Sequence, residues 1–298
     1  MRSFFIITNS VKDPGQEVTQ HISSYLTERG AKAAYLIRDD QSIADRQSED
    51  AAPLDIPEDT QCILVLGGDG TLLQAARDTL GLGIPLLGVN LGTLGFLAEV
   101  EKNDIDQALD KLLADEYTSE ERMLLAGCIE NKDGEKVYES HALNDIVVAR
   151  SGQLMVLPVQ MLVNGQPLVS YLADGMIVST PTGSTAYNLS AGGPIVSPAA
   201  RLMVVTPICP HTLNTRSVIL SPDDQVEILP GESKDGEESV TAKVYFDGGV
   251  PAIVSTGDRI VIRQSALSVT LIRLNSESFL KQLHNRLKQR YMDLSFYN

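Results

Sequence analysis

The sequence predicts an α/β domain at the front, a β-rich domain behind it, and a final helix that returns to the first. Three observations carry this. Apolar runs alternate with helix-like segments over the first hundred residues, β-branched residues and closely spaced turn signals dominate after about residue 118, and one amphipathic segment closes the chain. With 298 residues, 43% hydrophobic and 21% charged, the chain can bury a sizeable core and is expected to form one large or two modest domains.

Apolar runs at 4–8, 33–37, 62–66 and 85–89 read as strands, and segments 14–29 and 72–79 read as helices between them. That is the rhythm of βαβ units and of a Rossmann-like parallel sheet. The polar, acidic stretch 38–60 contains two prolines and reads as a surface loop or irregular insertion. From Ile105 through Leu109, Leu112 and Leu113 the apolar spacing is helical, with Asn103 or Asp104 as the cap. Turn signals then recur at Lys132-Asp133-Gly134, Asn164-Gly165, Asp235-Gly236, Asp247-Gly248-Gly249 and Gly257-Asp258, so this part reads as β-rich and β-sandwich-like. Asn164-Gly165, between the apolar runs 159–163 and 167–171, predicts a type I′ hairpin, because both residues tolerate positive φ. Near the end, Phe279, Leu280, Leu283 and Leu287 share a helical face ringed by Lys281, Arg286, Lys288 and Arg290. A lone amphipathic helix must pack somewhere, and the α/β domain is the natural surface. The expected domains are therefore 1–118 with 276–298, and 119–275.

The 24 basic and 39 acidic residues give a net charge of −15, which repels nucleic-acid backbones and anionic membranes, so neither is expected as a partner. A small phosphorylated ligand remains compatible, since backbone N–H groups and a metal ion can hold phosphate inside an acidic protein. Cys62, Cys128 and Cys209 show no paired spacing, hence neither a disulfide framework nor a zinc set, and a reducing compartment fits. The apolar run 4–7 is too short for a signal-peptide core, and no stretch reaches the roughly 18 apolar residues of a membrane span. The expectation is a soluble, cytoplasmic protein.

Four segments carry chemistry. In Leu64-Val65-Leu66-Gly67-Gly68-Asp69-Gly70-Thr71 a buried-type strand runs through a glycine turn into a helix. Three glycines allow close backbone approach, and N–H groups at the turn and helix start form an anion cradle. The segment lacks the Gly-Lys-Ser/Thr of a Walker loop and the G-x-G-x-x-G of a dinucleotide fingerprint. A carboxylate inside such a cradle repels phosphate, so Asp69 calls for a metal or a proton to remove; the plain alternative is a turn with an Asp cap. The second segment, Gly88 to Leu97, stands where the carboxyl end of a parallel strand lines a ligand crevice, although tight packing explains its glycines equally well. The third, Asn144-Asp145 before an apolar strand, suits base edges and ribose hydroxyls, or is an Asx turn. The fourth runs from Asp174 to Pro194 and gathers Ser179, Thr180, Thr182, Ser184, Thr185, Tyr187 and Ser190 around Pro181 and Gly183. A strand ending at Thr180, a turn, and a short helix from Ser184 or Thr185 fit it, and the hydroxyls offer neutral donors for a polar ligand.

Together these residues resemble the NAD kinase family. Gly67-Gly68-Asp69-Gly70, Asn144-Asp145, the stretch 174–194 and Pro210-His211-Thr212-Leu213 stand in that family's order and spacing, over most of the chain from about Cys62 to Arg273. The Gly-Gly-Asp-Gly loop alone is shared with diacylglycerol, sphingosine and phosphofructo-kinases; joined to Thr182-Gly183-Ser184-Thr185-Ala186-Tyr187 it is specific.

The resemblance implies transfer of phosphate from ATP, or from inorganic polyphosphate, to the 2′-hydroxyl of the adenosine ribose of NAD, with a divalent metal such as Mg²⁺ whose ligands stay unknown. It implies that Asp69 accepts the hydroxyl proton, with Gly67, Gly68 and Gly70 around it. Asn144 and Asp145 would hold adenosine, while Asp174, Thr182, Ser184, Thr185, Ala186, Tyr187 and Ser190 would line the rest of the dinucleotide site. Independently of the resemblance, a ligand is expected between the domains, where clefts commonly form. The resemblance also implies a homodimer or homotetramer, with assembly through the β-rich domain. His211 is read as structural, and His21, His141 and His284 have no evident partner. Four positions depart from the family pattern: Asp145 in place of Glu, Gln74 and Leu172 where a basic residue is frequent, and Gly249 where Gln often stands. Two rivals are a lipid kinase of the diacylglycerol type, disfavoured by the acidic charge, and a dinucleotide sensor without turnover.

Overall fold

The structure is a computed structural model that describes residues 1–38, 54–92, 95–151, 156–212, 215–231, 241–274 and 279–294. Most of the expected 38–60 loop, the Asp235-Gly236 turn and Leu213 lie outside the described residues. The chain divides into two compact units, Met1–Glu121 with Val269–Asn298, and Arg122–Ser268.

The first unit begins β1 (Ser3–Asn9), α1 (Glu17–Glu28), β2 (Lys32–Arg38), β3 (Cys62–Gly67), α2 (Asp69–Asp78) and β4 (Leu86–Asn90), followed by β5 (Val100–Glu101) and α3 (Ile105–Leu113). Its strands run parallel in the order β4-β3-β1-β2, with Ile6 opposite Leu64 and Val65 opposite Gly88. Both faces are covered, which is why β1, β3 and β4 are buried along their whole length instead of alternating. On one face Phe4, Ile6, Leu64, Leu66, Leu87 and Val89 pack with Val18, Ile22 and Leu26 of α1 and with Ile105, Leu109 and Leu112 of α3. On the other, Gly88 admits α2: a Cβ there would stand 2.7 Å from Leu72 Cδ1. Each fully buried Leu or Ile in this core contributes roughly 1.5–3 kcal/mol.

The second unit is mainly β. Its elements are β6 (Thr118–Glu130), β7 (Lys136–Ala142), β8 (Asp145–Arg150), β9 (Leu157–Val163), β10 (Gln166–Ala173) and β11 (Gly175–Ser179), then a 3₁₀ turn (Thr182–Thr185) and the one-turn α4 (Tyr187–Ser190). There follow β12 (Met203–Ile208), β13 (Val218–Leu220), β14 (Val226–Pro230), β15 (Thr241–Phe246), β16 (Ala252–Ser255) and β17 (Arg259–Arg273). The chain enters the unit within β6 and leaves it within β17. One antiparallel sheet has the order β13-β12-β11-β8-β15-β16; a second path runs β10-β9-β14-β17, with β6 paired to β17 and β7. Ile146, Val148, Met176 and Val178 of the first meet Met161, Val226, Ile228 and Ile262 of the second in one core, a sandwich built on period-two alternation. Val147 and Ile177 point the opposite way and pack with Ile208. Asn164 and Gly165 take φ of 52° and 75° in the β9–β10 hairpin, as a type I′ turn requires.

The last helix, α5 (Phe279–Leu294), belongs to the first unit. One detail of its expected face is corrected. Leu280 is 72% exposed, whereas Phe279, Leu283 and Arg286 are half-buried. The inward positions are thus i, i+4 and i+7, and a charged residue takes a place that the apolar pattern assigned to the rim. The side chains of Leu287 and Arg290 lie outside the described residues.

Candidate active site

In the first unit the order β4-β3-β1-β2 reverses direction between β1 and β3, and open α/β sheets bind ligands beyond the carboxyl ends of strands at such a point. The Gly67–Gly70 turn leaves β3 at that end. Gly68 is the N-cap, Asp69 is the first helical residue, and no side chain caps α2, so Asp69 is not the helix cap and first-turn N–H groups stay available to an anion. Of the three glycines, Gly67 is required by the protein itself, since a Cβ there would meet Thr71 Oγ1 at 2.3 Å. Gly68 and Gly70 face open space.

The second glycine segment holds Asp69 in place. Its Oδ2 accepts the Phe96 N–H at 2.7 Å, and its Oδ1 accepts those of Leu97 at 3.1 Å and Ala98 at 3.4 Å. Gly95 lies flat against the carboxylate, where a Cβ would fall 2.0 Å from Oδ1. A carboxylate offers about four acceptor sites, so three main-chain donors leave about one for a ligand. Leu91 N–H donates to the Gly67 carbonyl at 2.9 Å, and Asn90 closes its own turn through Gly92. Lys12, on the turn after β1, runs alongside Gly92, with Nζ 3.4 Å from where a Cβ would be.

In the second unit Asn144 and Asp145 open β8 and are fixed by a residue far along the chain. Asp247 Oδ1 accepts the N–H groups of Asn144 at 2.7 Å and Asp145 at 3.1 Å, and Oδ2 accepts that of Leu143 at 2.7 Å. Among the described residues neither the Asn144 amide nor the Asp145 carboxylate has a hydrogen-bond partner, which leaves both able to meet a ligand. Burial, with the negative charge of Asp247 adding to it, pushes the Asp145 carboxyl up to about 7.

The 174–194 stretch folds as a strand, a 3₁₀ turn and a one-turn helix. Most of its hydroxyls serve this local structure. Thr180 Oγ1 donates to the Leu143 carbonyl at 2.6 Å and accepts the Gly183 N–H at 3.1 Å, and Ser179 donates to the Thr180 carbonyl. Ser184, fully buried, donates to the Pro181 carbonyl at 2.7 Å and accepts the Val196 N–H at 3.0 Å. Thr182 Oγ1 accepts from Arg122, a buried guanidinium under the turn, and Thr185 donates to the Thr182 carbonyl. Asn188 links the Ser184 and Pro194 carbonyls to Thr206. Gly183 and Gly193 press against Asn144 O and Asn188 Oδ1, where a Cβ would come within 2.1 and 2.0 Å. The side chains with room for a ligand are Tyr187, 45% exposed, and Ser190. Burial raises the Tyr187 phenol above its usual range, and Cys209, Asp174 and Asp145 add to the rise.

Several residues acquire partners that spacing did not disclose. Arg150 Nε pairs with Asp174 Oδ1 at 2.9 Å. Gln74 is buried and donates to Asp78 Oδ1 at 2.8 Å, next to the Arg38–Asp78 ion pair. His21, read as unpartnered, bonds Asp106 at 2.6 Å on the surface. His211 is exposed and held through its main chain by the Leu172 carbonyl. Gly249 closes its turn by donating to the Phe246 carbonyl. The periodic signal gives which face such residues occupy; their partners lie up to 85 residues away. Among the described residues no three His, Cys, Asp or Glu side chains gather into a metal-binding group, and no helix is long and apolar enough to cross a membrane.

The first unit is thus a doubly wound α/β sheet whose glycine turn carries an anchored carboxylate, and the second unit is β-rich. Residues 6–117 match the ATP-NAD kinase N-terminal domain and residues 143–274 the ATP-NAD kinase C-terminal domain. The NAD kinase of Lachnospira eligens is 42% identical over 295 residues, covering 96% of this chain and 100% of its own; that of Lachnoclostridium phytofermentans is 44% identical over 288 residues, covering 96% and 99%. Among solved structures, yeast NADH kinase complexed with NADH superposes with a TM-score of 0.81 at 25% identity, over 97% of this chain and 88% of that one. An NAD kinase from Archaeoglobus fulgidus in complex with ATP shares the fold, with a TM-score of 0.74 at 21% identity over 96% and 98%. The chain belongs to the NAD kinase family.

Proposed function

We propose that this chain transfers the γ-phosphate of ATP to the 2′-hydroxyl of the adenosine ribose of NAD, yielding NADP and ADP. The observation that carries the reading is the Asp69 carboxylate, anchored by three main-chain N–H groups with one acceptor position left over. The ribose hydroxyl donates to that position. As its oxygen bonds to the γ-phosphorus, the bond from that phosphorus to the β–γ bridging oxygen breaks, ADP leaves, and the hydroxyl proton passes to Asp69. General-base help of this kind contributes about 10²–10⁴-fold. The divalent cation, Mg²⁺, arrives on the phosphates of ATP as part of the substrate and neutralises charge on the moving group. Gly67, Gly68 and Gly70 supply the backbone that meets the phosphates.

Asn144 and Asp145 hold the adenosine part of NAD, their free amide and carboxylate supplying the donors and acceptors it needs. Asp174, Tyr187 and Ser190 line the remainder with the main chain of Thr185 and Ala186, while Thr182 and Ser184 act by shaping that main chain. The family membership and the NADH and ATP bound to the yeast and archaeal relatives support these assignments. The test is NADP formation from NAD, ATP and Mg²⁺ by the unsubstituted chain and by Asp69→Asn. The expected result is turnover in the first and a loss of about 10²-fold or more in the second, with NAD binding retained. Binding of NAD without NADP would make the chain a sensor, and phosphorylation of diacylglycerol in its place would make it a lipid kinase. Inorganic polyphosphate as the sole donor settles the donor class.

The same reading includes a cytoplasmic location and a homodimer or homotetramer. Three unpaired thiols support the first. Ile219 and Ile253, 56% and 69% exposed on the two edge strands of the six-stranded sheet, support the second.

A further inference from the structure

Between Gly67 and Ala76 the loop and the first two turns of α2 contain Asp69 and no basic residue. A triphosphate brought to that loop meets a carboxylate, and the neutral Gln74 turns to Asp78. Charge of the opposite sign comes from the last helix of the same unit. Arg286 places its guanidinium carbon 5.4 Å from the centroid of the Phe96 ring, and it is the Phe96 N–H that holds Asp69 Oδ2 at 2.7 Å. Among the described residues Arg286 makes no hydrogen bond, and its Nη1 is shut off from water without an acceptor. A guanidinium edge buried without a partner is costly, and such groups in native proteins normally find one. The charges acting on Arg286 are Asp69 first, then Glu101, Arg273 and Glu99. Burial pulls the guanidinium below its ordinary range, a cost that a bound anion relieves.

We propose that Arg286 contacts the phosphates of the donor nucleotide, as the cation that α5 brings over Phe96 to the Asp69 loop. The assignment rests on the phosphotransfer proposed above. Arginine suits this position, because its planar fork meets phosphate oxygens two at a time and stacking over an aromatic face fixes its aim. It predicts a role on the donor side and none on NAD.

The experiment is calorimetric titration of MgATP, without NAD, into the unsubstituted chain, Arg286→Met and Arg286→Lys, with steady-state kinetics and thermal unfolding on each. Lys288→Ala, an exposed position on the same helix, is the control. Expected for Arg286→Met is a loss of about 10-fold or more in ATP affinity and about 10²-fold in kcat/KM for ATP, with NAD affinity unchanged. Arg286→Lys should recover part of both, and Lys288→Ala should match the unsubstituted chain. ATP affinity in Arg286→Met within about twofold of the unsubstituted value would overturn the assignment. So would equal losses of ATP and NAD affinity with a lowered melting temperature, which would mark Arg286 as holding the helix in place. If the unsubstituted chain itself forms no NADP, the phosphotransfer reading fails, and ATP affinity still decides whether Arg286 meets phosphate.

Discussion

Asp247 Oδ1 accepts the main-chain N–H of Asn144 at 2.7 Å, so a turn after β15 fixes the polar pair at the start of β8 from 103 residues away. The same carboxylate receives the N–H groups of Leu143 and Asp145, satisfying three donors at the head of a buried strand.

Asp247→Ala is therefore expected to reach both stability and the ligand. Three main-chain donors lose their acceptor, at about 1–3 kcal/mol for each one left dry. NAD affinity should fall by roughly tenfold, because the amide and carboxylate of Asn144 and Asp145 lose their aim. Urea unfolding and NAD titration check this; a variant as stable and as tight as the unsubstituted chain would show that Asp247 does not hold the pair.

The pH dependence of stability follows from Asp145. Its carboxyl is raised by burial and by Asp247 to about 7, from an ordinary value of 3.8. Between those values the folded chain keeps a proton that the unfolded chain has released. Stability conferred by this group is therefore greatest at low pH, falls as pH rises towards 7, and stays reduced above it. Asp145→Asn removes this titration, so it should be more stable than the unsubstituted chain at about pH 8 by on the order of a few kcal/mol, with the advantage shrinking as pH falls and gone only below about pH 4. Melting curves of both proteins across that range decide it, and parallel curves would contradict the assignment.

Gly95→Ala tests the anchoring of Asp69 without touching the acid. Its new methyl group would fall 2.0 Å from Oδ1, so the carboxylate or the segment must move. A misplacement of about 1 Å costs around 10²-fold in turnover, which steady-state rates of NADP formation measure. Unaltered turnover would show that the close approach has no catalytic consequence.

What could be read from the chain alone was the part that depends on neighbours in sequence. The βαβ rhythm, the Asn164-Gly165 hairpin and the position of Asp69 at a strand-to-helix turn are all local patterns. Long-range pairing was not legible. Nothing near Asp174 announces Arg150, and nothing in an Asp-Gly-Gly turn announces three donors from another strand. The seven hydroxyls of the 179–190 stretch read as ligand donors by composition, but several satisfy backbone groups around Pro181, a need that a tight turn creates only once folded. On α5 a simple apolar count favoured Leu280, although Arg286 lies seven positions after Phe279 and three after Leu283, on their side of the helix.

The donors that grip Asp69 are amides of the chain itself, and every amino acid except proline carries one. Side chains at 97 and 98 can thus be exchanged by mutation without silencing the acid, provided the chain path survives. The vulnerable places are those that set the path: a proline at 96, 97 or 98, or any bulk at 95. Genetic tolerance around this carboxylate should accordingly follow backbone geometry more closely than chemical type.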